Sequence, residues 1–266
     1  MCDFDNNILT IQSIQLNTLR ATMSRLNNCG IREANLIFDD TGVKILELET
    51  SELIVVSIYM DRNNFQLYQI DAPKICVGIN VDRLIQILAS GTSDDTITMF
   101  IPNDVNHYNN GVVNYLSIYF ENNYMNNLVS IPTIDLVPNL DEYPALVYTT
   151  TINFTTQLFM QCVKSHGKNS NKLEIEFANN VLSFSTEGNL GKIVSTFKEK
   201  ELNIVNSNPV KIIQGHYALR YLISFAKFAS ITDQLELCLE NNMPLLCKFE
   251  NSLAVIQLAL KDVPKN

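Results

Sequence analysis

The chain has 266 residues, 46% apolar and 18% charged, with a formal net charge of −9. That balance suits one large folded domain or two ordinary ones with a substantial core. It excludes a nucleic-acid binder that works by overall charge, but not one that gathers its cations on a single surface. The longest apolar stretches fall well short of a membrane span. The opening MCDFDNNILT has neither a basic n-region nor an apolar h-region, so no secretory signal is expected. Cys2, Cys29, Cys76, Cys162, Cys238 and Cys247 lack CxxC spacing, and they are expected as reduced thiols, mostly in the core.

In chain order, Leu16, Leu19, Met23 and Leu26 follow helical spacing. The turn cluster DDTG (39–42) precedes the strand LIVVSIYM (53–60). NVDRLIQILAS (80–90) predicts a helix with Asn80 as N-cap and Gly91 as stop. GTSDD (91–95) then separates it from the strands TITMFI (96–101) and NYLSIYF (114–120). SIPTIDLVPNLDEYP (130–144) holds three prolines and reads as an extended connector, because proline cannot join a central ladder. A helix is predicted over NFTTQLFMQCVKSH (153–166), a strand over KLEIEF (172–177), and a turn at FANN (177–180). GHYALRYLISFAKFAS (215–230) predicts a fourth helix, followed by the strand QLELCLE (234–240) and the turn LENNM (239–243).

Each half thus runs helix, strands, helix, strands. TGVKILELETSELIVVSI set against NNVLSFSTEGNLGKIVST places Val43 opposite Val181. The same spacing places Leu84 opposite Leu222 and Ile97 opposite Leu235. One residue more places Leu19 opposite Leu158 and Arg25 opposite Lys164. The expectation is an α+β fold of two topologically equivalent domains, 1–129 and 145–266, joined by the connector 130–144.

The four helices carry Arg20, Arg25, Arg83, Lys164, Arg220 and Lys227, with Asp82 as their clear acid, whereas the strands and connector are acidic. A basic helix face on an acidic body fits duplex DNA held by its phosphates, since lysine and arginine neutralise phosphates without reading sequence. No zinc-finger, basic-zipper or aromatic RNA-binding pattern is present. A merely solubilising helix face explains the same charges. Asp40-Thr41-Gly42 matches the aspartic-protease triplet, but the corresponding place in the second half, Asn179-Asn180-Val181, lacks the second carboxylate that chemistry needs. A hairpin turn explains the triplet better. With no other catalytic or metal-binding spacing, no enzyme and no cofactor are expected.

ALRYLISFAKFASITDQLELCLENNMPLLCKFE (218–250) resembles the C-terminal domain of the sliding-clamp family of proliferating cell nuclear antigen. GVKILELETSELIVVSIYM (42–60), VGINVDRLIQILASGTSDDTITM (77–99) and VLSFSTEGNLG (181–191) are similar to other parts of it, so the likeness covers nearly the whole chain. The resemblance implies a ring, usually a homotrimer, with helices lining a hole through which duplex DNA passes. Arg220, Lys227, Arg20 and Lys164 match its inner-helix cations, while the lysines usual in the second inner helix are replaced by Gln86 and Ala89. It further implies partners such as a DNA polymerase and a clamp loader, docked by a short peptide against Leu48, Leu53, Leu136, Val137, Pro244 and Ala259. Gln257 and Leu260 stand where the family has a tyrosine and a proline. YMNNLVSI (124–131) and KIVSTF (192–197) match the two strands that join subunits. The implied location is the nucleus or a viral replication site. A processivity factor that does not encircle DNA, or a checkpoint-type clamp subunit, is the nearest alternative.

Overall fold

Alternating burial and 3.6-residue stripes appear along most of the chain. In the computed structural model, residues 4, 6–109, 111–122, 124–137, 146–198, 202–206 and 211–264 are described. The first half comprises β1 (Asn7–Ser13), α1 (Leu16–Asn28), β2 (Glu33–Asp39), β3 (Gly42–Leu48), β4 (Ile54–Asp61), β5 (Leu67–Ile70), β6 (Lys74–Asn80) and α2 (Val81–Leu88). It continues with β7 (Thr96–Pro102), β8 (Tyr108–Asn109), β9 (Val112–Val113), β10 (Tyr115–Glu121) and β11 (Asn126–Pro132). The second half comprises β12 (Thr150–Thr155), α3 (Thr156–His166), β13 (Lys172–Ala178), β14 (Val181–Gly188), β15 (Gly191–Lys198) and β16 (Asn203–Asn206). It ends with β17 (Ile213–Ala218), α4 (Leu219–Ala226), β18 (Gln234–Leu239), β19 (Leu245–Glu250) and β20 (Val255–Leu260).

Two compact units result. One takes Met1–Leu48, Ser57–Glu142 and Asn251–Val255, the other Glu49–Val56, Tyr143–Glu250 and Ile256–Asn266. The strand orders repeat: β11-β10-β7-β1-β5 in the first half corresponds to β20-β19-β18-β12-β16 in the second, and β4-β3-β2-β6 to β15-β14-β13-β17. The fold is therefore α+β with two topologically equal parts. The small hairpin β8–β9 has no counterpart in the second half, where β18 joins β19 through the short turn at Asn242.

The duplication does not keep one register, however. The pair closing the β2–β3 turn is Asp39–Gly42, and the pair closing the β13–β14 turn is Ala178–Val181, so Val43 faces Leu182 rather than Val181. Buried α1 residues Leu16, Leu19, Thr22, Met23 and Leu26 repeat as Thr156, Phe159, Cys162, Val163 and His166 in α3. Leu19 therefore faces Phe159, and Leu158 is 37% exposed. On the same register Arg25 faces Ser165, not Lys164. Leu84–Leu222 and Ile97–Leu235 keep the expected spacing, and all four side chains are buried. Loop-length changes between elements shift the register, while the faces that must be buried stay in phase.

Element ends also differ from expectation. Residues 153–155 finish β12, and the Thr155 hydroxyl caps α3 by accepting from Leu158 N. Residues 215–218 belong to β17, and the α-helix within 215–230 is short, followed by one 3₁₀ turn over Lys227–Ser230. Asn80 caps α2 as expected, its side chain accepting from Arg83 N at 2.9 Å. Gly91 does not stop that helix, which ends at Leu88. A Cβ on Gly91 would come within 2.6 Å of Leu16 and 2.8 Å of Phe120, so its smallness serves packing. Pro132, within the segment expected as connector, is still in β11, and residues 138–145 lie outside those described. Cys29, Cys162, Cys238 and Cys247 are buried and Cys76 is exposed; Cys2 lies outside the described residues.

The second unit closes its core by aromatic packing between layers. Phe154 of β12 meets Phe197 of β15 at 4.9 Å, and Phe159 of α3 meets Phe184 of β14 at 6.5 Å. Each fully buried ring or leucine of this kind contributes roughly 1.5–3 kcal/mol. Beside them sits a polar joint. His166 is fully buried, with Nδ1 2.9 Å from Thr186 Oγ1 and Nε2 3.0 Å from Ser195 Oγ, tying α3 to β14 and β15. Burial holds its imidazole below the ordinary value of 6.5. The folded state therefore prefers neutral His166, and this stabilisation is full above the unfolded value and is lost as pH falls toward the folded one. Denaturation midpoints are expected to drop in the parent as pH falls below the ordinary imidazole value of 6.5, with a flatter profile in His166→Gln. Identical profiles would remove His166 from the acid response. The carboxylates of Asp39 and Glu240, both held at about 2, act only at lower pH.

Candidate nucleic-acid interface

The helices of each unit pair with each other, α1 with α2 and α3 with α4. Their apolar stripes turn inward, which leaves polar and basic positions toward solvent. In the first unit Arg83 is exposed and Arg20 and Arg25 are half-buried. Arg20 donates from Nη2 to Asn17 Oδ1 at 2.6 Å, one helical turn back. The single acid, Asp82, is occupied: Arg32 Nη1 approaches it at 3.1 Å, and Asn27 Nδ2 donates to its other oxygen at 2.6 Å. Arg32, a loop residue that the helix-by-helix count leaves out, thus cancels the one negative charge on this pair of helices.

In the second unit Lys164, Arg220 and Lys227 are all exposed. Lys227 is the C-cap of α4, so it and Arg220 stand at opposite ends of one short helix, not within a continuous α-helical face. Lys168, in the turn just past α3, is exposed as well. Gln157, Gln161, Lys164 and Lys168 are successive solvent-facing positions spaced by four, three and four residues. That periodicity is visible in the sequence, but the helix was expected to end at His166. The solvent face of each pair of helices is therefore basic or neutral, within a chain of formal net charge −9.

The residues expected to hold a partner peptide divide between the units. In the first, Leu48 ends β3, and Leu136 lies against Gly78 of β6, where an added Cβ would come within 3.2 Å of Leu136 Cγ. Val137 is 84% exposed. This part of the connector bridges β6, Ile134 N donating to Gly78 O at 2.9 Å. In the second unit Leu53 O accepts from Lys261 N at 2.9 Å. Ala259 is only 5% exposed and clusters with Cys238 and Leu246, and Val55 and Tyr148 pack against the three. Tyr148 donates its hydroxyl to Pro244 O at 2.9 Å, bringing Pro244 to the same patch. No local pattern marks Tyr148, Val55 and Leu246 as neighbours of Ala259, because strands far apart in sequence bring them together.

The expected joining strands are both sheet edges, β11 at one end of its five-stranded sheet and β15 at one end of its four-stranded sheet. Leu128 on β11 is 55% exposed and Val194 on β15 is 51% exposed. Among the described residues no group of acidic, histidine and cysteine side chains has metal-binding geometry. The Asp40-Thr41-Gly42 triplet is the β2–β3 turn. The carboxylate accepting from Thr41 N at 2.8 Å is that of Asp39, while Asp40 is exposed.

Residues 12–131 match the family model for the N-terminal domain of proliferating cell nuclear antigen, and residues 142–261 match that for its C-terminal domain. The chain is similar to a probable DNA polymerase sliding clamp of Acanthamoeba polyphaga mimivirus, 26% identical over 77% of this chain, a match spanning 43% of that relative. Proliferating cell nuclear antigen of Chaetomium thermophilum is 21% identical over 82% of this chain and 84% of its own length. The crystal structure of the Entamoeba histolytica protein of that name superposes with a TM-score of 0.85 at 19% identity, covering 97% of this chain and all of that one.

Proposed function

Because the chain belongs to the proliferating cell nuclear antigen family of sliding clamps, matched by both domain models in tandem, we propose that it is a DNA polymerase processivity factor acting as a ring around duplex DNA. The observation that carries this is electrostatic. The helix pairs present Arg20, Arg25, Arg83, Lys164, Arg220 and Lys227 with one acid among them, and Arg32 neutralises it. Cations that meet phosphates without reading bases give a weak, sequence-blind attraction, which suits a protein that must stay on DNA and still move. Topological linkage, not affinity, then supplies the residence time. The acidic remainder of the chain disfavours DNA elsewhere on the molecule.

Closure requires copies to pair edge to edge. The β11 edge of one copy and the β15 edge of the next carry unpaired backbone groups and half-exposed Leu128 and Val194. A heterologous contact of this kind closes into a ring when the rotation between copies allows it, and three copies are proposed. Polymerase, clamp loader and other partners would dock by a short peptide at Leu48, Leu53, Leu136, Val137, Pro244 and Ala259, together with Tyr148. Replication in a nucleus or at a viral replication site is the setting proposed.

Multi-angle light scattering on the pure protein is expected to give the mass of three copies of the 30.1-kDa chain. A Val194→Asp variant should shift that mass toward one copy, since an unpaired carboxylate would be buried in the joint. A parent protein that runs as a single chain at micromolar concentration would overturn the ring and favour a non-encircling processivity factor.

A further inference from the structure

Resting on the proposed DNA-facing role of the helices, we propose that Tyr221 is a positioning residue that sets the guanidinium of Arg220 for phosphate contact, with Glu49 as its anchor. The four residues concerned, Glu49, Ser51, Arg220 and Tyr221, all belong to the second unit. Tyr221 lies on α4 between Arg220 and Leu222, and the residue is 7% exposed. A ring so placed must find a partner for its hydroxyl. Arg220 Nη2 donates to that hydroxyl at 2.7 Å, and the Arg220 guanidinium carbon stands 4.5 Å from the Tyr221 ring centroid. On its other side the hydroxyl lies 2.6 Å from Ser51 Oγ and 3.2 Å from Glu49 Oε2.

The direction of the hydrogens follows from the ends. Arginine only donates and a carboxylate only accepts. The Tyr221 oxygen accepts from Arg220 and sends its own hydrogen toward Ser51 or Glu49, and Ser51 Oγ donates to Glu49 Oε2. Both ends of the chain are charged, which strengthens each link. The turn that carries Glu49 is held as well: Ser51 N donates to Glu49 Oε2 at 2.9 Å and Glu49 N to Ile54 O at 2.9 Å, while Glu52 has the left-handed φ of 58° that this turn requires. Arg220 uses one fork position on Tyr221 and remains exposed, so its other donors stay available to an incoming anion. Glu49, one phenol away, tempers the positive potential there without pairing with the guanidinium directly. The device aims a cation while limiting its pull, which is what a sliding contact needs.

The test is fluorescence anisotropy of a labelled linear duplex against the full chain, over a range of salt. Tyr221→Phe keeps the ring and removes the hydroxyl; duplex affinity should fall about threefold to tenfold, as for one lost hydrogen bond, with the log–log salt slope unchanged because the charge stays. Arg220→Ala should lower the slope by about one. Glu49→Gln should raise affinity at low salt. Arg220→Lys, which keeps the charge but not the fork, should weaken binding as Tyr221→Phe does, and combining the two should add nothing further. Should Tyr221→Phe fold poorly, Arg220→Lys and Glu49→Gln decide the matter alone. If Arg220→Ala lowers the slope while Tyr221→Phe and Arg220→Lys bind like the parent, the positioning role fails and the DNA-facing role stands. If Arg220→Ala leaves affinity and slope unchanged, the DNA-facing role itself fails.

Discussion

A chain carrying both Arg220→Ala and Lys227→Ala is expected to fold as the parent does and to bind duplex DNA about tenfold or more weakly, with a salt slope lower by about two. Both side chains are exposed, so truncation opens no cavity. Tyr221 keeps Ser51 as a hydroxyl partner when Arg220 is lost. Clamp-dependent DNA synthesis should fall in parallel, while the mass by light scattering stays that of the parent. The control removes two positive charges from strands and their flanks, Lys74→Ala with Lys261→Ala, both also exposed. If the control weakens binding as much as the helix variant, overall charge is responsible and the helix face has no special part. Unchanged binding and synthesis in the helix variant would withdraw that face from the proposed function.

Gly42→Ala is expected to destabilise the first unit by about 3 kcal/mol or more, from backbone strain and a steric clash together. Gly42 has φ of +149°, which an L side chain rarely adopts, and an added Cβ would lie 2.1 Å from Met60 O. The turn has no freedom to move aside. Asp39 Oδ1 accepts from Thr41 N at 2.8 Å, Arg62 N donates to Thr41 O at 3.0 Å, and the buried Tyr68 hydroxyl lies 2.7 Å from Gly42 O and 2.8 Å from Asp39 O. Burial opposes ionisation of Asp39, but hydrogen bonds from Lys44 and Thr41 outweigh it and hold the carboxyl at about 2. Asp40→Asn, by contrast, touches an exposed side chain and should change stability by less than about 0.5 kcal/mol. Chemical denaturation of both variants checks this. The opposite ranking, a harmful Asp40→Asn and a tolerated Gly42→Ala, would mean that the triplet serves something other than a turn.

Much of this architecture was legible locally. The stripe Leu16, Leu19, Met23, Leu26 is buried as its spacing requires, and Asn80 caps the helix it precedes. Asn179 and Asn180, at φ of 51° and 59°, form the tight hairpin that two asparagines allow. Element boundaries were less legible where an apolar run serves two structures. GHYA continues into LRYLISFA with no turn residue at the junction, because alternate residues of β17 and the core side of α4 are both buried. The register of the duplication is hidden for a related reason: Val181 and Leu182 are both apolar, as are Leu158 and Phe159, and only burial tells which one faces the core.

By itself the sequence determined the repeated α+β pattern and the gathering of cations on helices, because these depend on periodicity, turn chemistry and composition, which are local; the family shows separately, in the resemblance of segments such as 218–250 and 42–60 to its members. Only the tertiary structure decided that Asp82 is met by Arg32 and how the guanidinium of Arg220 is held. Asp82 meets Arg32, Tyr148 meets Pro244, and Arg220 reaches Glu49 through Tyr221 across separations of 50, 96 and 172 residues for Asp82–Arg32, Tyr148–Pro244 and Tyr221–Glu49. Contacts of that reach are set by how strands order themselves in sheets, and no short pattern along the chain encodes them.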